Sequence, residues 1–430
     1  MEENFPRELE LAEQKDTPIK DQICYLDEYY ILRRVLRYWS TGALSSPRAE
    51  HMKDVLSIHH NHRPMRLLLI IFLLMSLSAS ASEHLIYIGT YTRSTGKGIY
   101  SVRLDRSTGK LSSPELVATT SNPSFITLSQ DKSHLYAVSE SSTMATPFAV
   151  DLDTGKLTPD ESRDSGGKAP CYLMADSTER ALVVAHYHNG VLASLPINED
   201  GSLGPAKSIH QHTGSSVNPD RQEAAHVHSA NIAPDDRFVI VCDLGLDKVF
   251  TYALDAANAT LTPAATPFIA TEPGAGPRHS AFSIEGQHVF VINELNSTLT
   301  CYAYDAATGA LTALDTQPTL PADFDGNSTT AEVRVHPNGK FVYGSNRGHD
   351  SIAVFAFDAT TGKLTPIDHT PTGGRNPRNF NLSPDGKWLV AANQQSDSLT
   401  VFQVDADTGK LKSTEHTASV AMPVCVVFAN

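Results

Sequence analysis

From Leu85 onward the chain alternates short apolar runs with turns rich in Pro, Gly and Asp. The runs come in pairs. Phe125 to Ser139, His228 to Asp243 and Arg278 to Asn293 each read as two strands around a polar turn, which is the pattern of an antiparallel hairpin. Val333 to Asn346 turns through His336-Pro337-Asn338-Gly339, and Phe380 to Asn393 turns through Ser383-Pro384-Asp385-Gly386. Tyr172 to His186 is a degenerate copy. After each pair comes a further strand and a second turn that opens on Asp or Asn and closes on Thr-Gly-Lys-Leu or a relative. This signature occurs seven times, at Asp105 to Leu111, Asp151 to Leu157, Asn198 to Leu203, Asp255 to Leu261, Asp305 to Leu311, Asp358 to Leu364 and Asp405 to Leu411.

A period of about 50 residues with four strands per unit predicts an all-β chain folded as a seven-bladed β-propeller of four antiparallel strands per blade. Blades pack on both faces, so their strands should be continuously apolar, as in Phe238-Val239-Ile240-Val241 and Val289-Phe290-Val291-Ile292. The first unit, Leu85 to Thr120, lacks a leading strand pair, and Pro423 to Asn430 is an isolated apolar strand. That strand is therefore expected to pair with Ile86 to Gly89 as the innermost strand of the first blade, which closes the ring and leaves no open edge.

The propeller accounts for residues 82–430. Upstream, Met65 to Ala81 has a basic start, a short apolar core and an Ala-x-Ala site, the organisation of a secretory signal peptide cleaved after Ala81. Its apolar run is short for a bilayer span, so no stable membrane insertion is expected. Residues 1–64 show no strand pattern and read as a misassigned start ahead of Met65, the alternative being a cytoplasmic extension before a signal anchor. The product is then periplasmic or secreted.

Charge narrows the partners. The full chain carries −14, and removal of residues 1–81 leaves 24 Lys/Arg against 37 Asp/Glu. Such acidity argues against nucleic acid and anionic membrane surfaces. Cys171, Cys242, Cys301 and Cys425 fall in different blades without close spacing, as expected of small buried apolar residues and not of a zinc site or a disulfide framework. The sequence leaves the oligomeric state open.

In an antiparallel hairpin the start of the first strand lies beside the end of the second. Arg278, His279, Asn293 and Glu294 should therefore meet at one end of their hairpin, with His226, His228, Glu332, Arg334, Asn346, Arg347 and Arg378 on the same face of the disc. Convergent ionisable groups around an axial depression make that face the candidate site. Glu332 and Arg334 can equally serve as inter-blade ion pairs. Neither Gly-x-Ser-x-Gly nor His-Glu-x-x-His is present, which speaks against serine-hydrolase and zinc-protease chemistry.

His228-Ser-Ala-Asn-Ile-Ala-Pro-Asp235, Gly274-Ala-Gly-Pro-Arg-His279, Asn293-Glu-Leu-Asn296 and the closing Pro-Asp-Gly-Lys repeat resemble the seven-bladed propeller lactonases. That family comprises bacterial 6-phosphogluconolactonases of propeller type and is related to fungal carboxymuconate cycloisomerases. The resemblance covers Leu85 to Asn430 and implies a catalytic set of His228, Arg278, Glu294 and Arg347. His226, His279, Asn293, Asn346 and Arg378 are expected to bind substrate. Lactone opening then needs a base, Glu294 or His228, and guanidiniums to hold an oxyanion or an anionic substituent, with no metal or other cofactor. The expected partner is a small sugar lactone. A cycloisomerase-like reaction and a non-catalytic exported propeller that binds a partner at its mouth are the alternatives.

Overall fold

The computed structural model describes residues 83–429. The stretch read from sequence as a signal peptide, Met65 to Ala81, and the residues before it lie outside the described residues. Seven antiparallel sheets form the blades, numbered here from the one that holds Glu83–Thr90, and their innermost strands touch in sequence until the ring closes. Blade 1 begins with the C-terminal strand Pro423–Phe428, followed outward by Glu83–Thr90, Gly98–Asp105 and Glu115–Thr119. The closing register is Ile86 with Phe428, Tyr87 with Val427, Ile88 with Val426 and Gly89 with Cys425, on the segment the sequence pointed to. Blade 2 departs slightly, since its third strand, Met144–Val150, pairs with two short pieces, Leu157–Pro159 and Arg163–Asp164.

Burial explains the hydrophobic pattern. Val239, Ile240 and Val241 are all fully buried, as are Val289 to Ile292, because a blade offers both faces to its neighbours. An outermost strand such as Thr260–Ala270 is mostly exposed. The four cysteines among the described residues are buried, as expected, and free.

The repeated Asp–Thr-Gly turn has a packing reason. The turn between the third and fourth strands leans on the second strand of the preceding blade. Tyr343 of blade 6 donates to the Gly409 carbonyl at 2.9 Å, and the Trp388 indole of blade 7 donates to the Arg106 carbonyl at 3.1 Å. Gly409 has φ of 72°, and a Cβ there would lie 2.5 Å from the Phe341 ring. Positive φ and a clash with a buried aromatic act together. Gly409→Ala is therefore expected to destabilise by about 1–3 kcal/mol, read as a lower urea midpoint at unchanged slope.

Candidate active site

The site is built by one backbone irregularity used repeatedly. In blades 1, 3, 4, 5 and 7 the register between the two innermost strands skips one residue near the start of the first strand. The skipped residues are Val424, Cys171, His228, Arg278 and Arg378. A bulge of this kind turns a side chain out of the alternation of the pleat. All five skipped residues line a single small axial depression, together with Ser124, Phe125, His279 and Asn379. Convergence on the ring axis thus depends on the bulges as well as on the hairpin geometry.

Behind the depression Glu294 is 3% exposed and bound by three guanidiniums. Arg278 donates through Nε to Oε2 at 2.8 Å, Arg347 Nη2 lies 3.0 Å from the same oxygen, and Arg221 Nη2 donates to Oε1 at 2.6 Å. Burial alone would raise the Glu294 pKa, but Arg347, Arg278 and Arg221 outweigh it and hold the carboxyl well below the usual range. A carboxylate this firmly ionised is a poor proton acceptor. Arg278, 1% exposed, spends Nη1 on the Ala331 carbonyl at 2.7 Å.

Arg378 is different. It sits 5.3 Å above the Tyr91 ring and makes no hydrogen bond or ion pair with any described residue. The Tyr91 hydroxyl donates to Glu140, at 2.8 Å to Oε2.

Two imidazoles share the depression. His228 and His279 stand edge to face with centroids 5.2 Å apart. Burial, with Arg278 next in weight, pushes the His228 pKa far below the ordinary imidazole value. Its Nδ1 is buried without a partner among the described residues. His279 Nδ1 lies 3.2 Å from Glu332 Oε2, while its Nε2 is buried and unpartnered. Burial lowers the His279 pKa to about 4, against the pull of Glu332. Both rings are therefore neutral at physiological pH.

Of the residues picked from sequence, the structure brings His228, Arg278, His279 and Arg378 to the depression. Glu294 and Arg347 stand behind Arg278 and do not line it. Three others are used elsewhere. His226 stacks on Tyr187 at 4.4 Å and shares Nδ1 with the Tyr187 carbonyl and Nε2 with Glu223. Asn293 donates to Thr298 and Thr300, and Asn346 donates to the Thr319 carbonyl and Ser351 while its Oδ1 accepts from the Thr319 hydroxyl. Glu332 and Arg334 pair at 3.5 Å within the one strand Thr329–Val335 and so not between blades as expected; the contact of Glu332 with blade 5 is the one to His279. Arg221 and Tyr91 were not singled out from sequence. Both lie in stretches outside the hairpin pattern, and only the cationic residue in the segment between Gln211 and Val227 hints at the first.

The family described as "Lactonase, 7-bladed beta-propeller" matches residues 85–428. A 6-phosphogluconolactonase of Bacillus subtilis is 35% identical over 301 residues, which cover 70% of this chain and 85% of that protein. Among solved structures, a putative 6-phosphogluconolactonase of Bacteroides fragilis superposes with TM-score 0.77 at 32% identity, covering 82% of this chain and 99% of the other. The periplasmic gluconolactonase PpgL of Pseudomonas aeruginosa superposes with TM-score 0.77 at 34% identity, covering 81% and 99%. Such identity across the whole propeller, on a ring whose mouth carries the His, Arg and Glu residues described above, means that the chain belongs to the seven-bladed β-propeller lactonase family.

Proposed function

We propose that this protein is an exported sugar-lactone hydrolase of 6-phosphogluconolactonase type, acting in the periplasm or outside the cell, which opens an aldonolactone by general-base attack of water. The observation that carries this reading is the pairing of two neutral imidazoles, His228 and His279, each with one buried nitrogen unpartnered among the described residues, with guanidiniums of Arg278 and Arg378 in one axial depression. The B. subtilis relative named a 6-phosphogluconolactonase and the periplasmic neighbour named a gluconolactonase support the substrate class and the location.

Lactone hydrolysis needs a proton taken from water and a developing oxyanion stabilised. A neutral imidazole supplies the first. Arg278 and Arg378 supply the second, in a site where little bulk water weakens the attraction. Glu294 serves as the counter-ion that holds Arg278 and Arg347 in place, since its lone pairs are occupied by guanidiniums. The scheme uses no metal, because guanidinium charge fills the role of a Lewis acid.

The test is acid release by purified protein given δ-gluconolactone and its 6-phosphate, followed by pH-stat. Hydrolysis of either above the spontaneous rate is expected, and a rate equal to the spontaneous one with both would refute the proposal. Arg378 has its donors free for an anion, and hydrogen bonds to charged groups contribute about 1.5–3 kcal/mol. Arg378→Ala should therefore raise KM for the phosphorylated lactone by roughly 10- to 100-fold, and for the free lactone by less.

A further inference from the structure

We propose that His279 is the residue that moves the proton in the axial depression, that Glu332 positions it, and that His228 acts as a neutral hydrogen-bonding partner for the water or the lactone. This assignment rests on the reading of the depression as a lactone-hydrolysing site.

The geometry separates the two imidazoles. His279 Nδ1 faces Glu332 Oε2 at 3.2 Å. A carboxylate can only accept, so Nδ1 carries the hydrogen and Nε2 is left with a bare lone pair. That Nε2 is buried, has no partner among the described residues, and belongs to a side chain that lines the depression. Nucleophilic and general-base sites commonly contain this chain of an orienting carboxylate, an imidazole and an unoccupied nitrogen. The ring is also confined from the side, edge to face with Tyr172 at 5.4 Å and with Phe125 at 5.9 Å.

Glu332 is itself fixed from three blades. The Asn379 amide of blade 7 donates to its Oε2, and Asn379 cannot flip because its Oδ1 accepts the Val426 N–H at 2.9 Å. The Val333 N–H donates to Oε1 at 3.1 Å, and Arg334 approaches Oε2 at 3.5 Å. Burial works against the carboxylate, but Arg334 and then His279 outweigh it, so Glu332 stays charged. No comparable support reaches His228, whose charged neighbours are Arg278 and Arg378 and whose third titratable neighbour is His279.

Protonation therefore costs far less on one ring than on the other. The groups around His279 are Glu332 and Arg334 from blade 6, Arg278 from its own strand, His228 from blade 4, Tyr172 from blade 3 and Arg378 from blade 7. Only His279 has an anion in contact. An imidazolium at His228 would instead face two guanidiniums.

In the proposed step Nε2 of His279 takes a proton from water as the water oxygen bonds to the lactone carbonyl carbon. The carbonyl electron pair moves onto oxygen beside the guanidiniums. When the carbonyl re-forms, the bond to the ring oxygen breaks, and that oxygen takes the proton from Nε2. His279 returns to neutral, and one lactone and one water have become one hydroxy acid.

The experiment is the pH dependence of kcat and KM on δ-gluconolactone, spontaneous hydrolysis subtracted, for wild type, His279→Gln, Glu332→Gln and His228→Gln. His279→Gln should lower kcat by about 10²- to 10⁴-fold and abolish the acid limb of the profile. Glu332→Gln should lower kcat with KM within about threefold and shift the acid limb to lower pH, because loss of the carboxylate weakens the imidazole's hold on its proton. His228→Gln should lower kcat/KM without moving the limb. A Glu332 of merely structural importance would reduce the folded fraction and leave the limb where it is. The assignment is overturned if the limb follows His228→Gln, or if His279→Gln stays within about threefold of wild type. Nitrogen-15 NMR of the wild type adds a check that needs no variant: the Nδ1–H tautomer at His279 is expected at neutral pH, and an Nε2–H tautomer there overturns the proposal. Wild type inactive on both lactones would bring down the lactonase reading and this one together, whereas active wild type with unimpaired His279→Gln brings down this one alone.

Discussion

A chain that stops at Met422 is expected not to fold into a propeller. The missing strand, Pro423–Phe428, is the innermost strand of blade 1 and touches the innermost strands of blades 2 and 7. Val424, Cys425 and Val426 are all at most 2% exposed, and the strand they leave behind carries fully buried Ile86, Tyr87 and Ile88. Burial of one large aliphatic side chain is worth about 1.5–3 kcal/mol. Loss of these contacts on both sides of the seam approaches the whole 5–15 kcal/mol by which a domain is stable. Two polar anchors go as well, since Asn379 loses the Val426 N–H and Asn381 loses the Val426 carbonyl, to which it donates at 3.0 Å. The open edge of Glu83–Thr90 would then invite pairing with other chains. Soluble yield and the urea transition measure the outcome. A permuted chain with residues 423–430 moved ahead of Glu83 supplies the same strand from the other terminus and should restore the transition. A truncated protein with the wild-type midpoint would show that ring closure contributes little.

That closure was readable because two facts in the sequence needed one another: a first unit short of its leading strand, and an apolar strand at the end with nothing to pair with. The fold as a whole was legible for a similar reason, since blade packing imposes the same turn and the same apolar runs seven times. The site was legible only in part. Strand ends predict which residues share a face of the disc, but not which of them turn toward the axis. Asn293, Asn346 and His226 sit on the predicted face and spend their polar groups on nearby residues. What selects His228, Arg278 and Arg378 is the bulge, and the sequence carries a trace of it. Pro170, Pro277, Pro377 and Pro423 each immediately precede a skipped residue. A proline cannot donate to the ladder, so it marks where regular pairing breaks. The link between Arg221 and Glu294 has no such trace, because it joins a loop to a strand end 73 residues away.

Replacement of Glu294 by Gln should be the most damaging single substitution at the mouth, and it damages stability before chemistry. The side chain keeps its volume, so the effect is one of charge. Arg278 and Arg347, with side chains 2% and 11% exposed, would remain buried without their carboxylate. Removal of one partner from a buried ion pair costs about 3–5 kcal/mol. Arg221 adds little, since its side chain is 38% exposed and water screens the exposed end. The cost should appear as a lower urea midpoint with an unchanged slope, alongside a loss of kcat/KM as Arg278 loses its orientation. Acid reveals the origin. The folded-state pKa of Glu294 lies below that of the unfolded chain, so its contribution is fully present above the unfolded value of about 4.3 and is lost as pH falls toward the folded value. The stability gap between wild type and Glu294→Gln should thus be constant from about pH 7 down to about 5 and narrow below that. A gap that stays the same at acid pH would mean that the substitution acts through something other than the carboxylate charge, and that the three arginines do not depend on it.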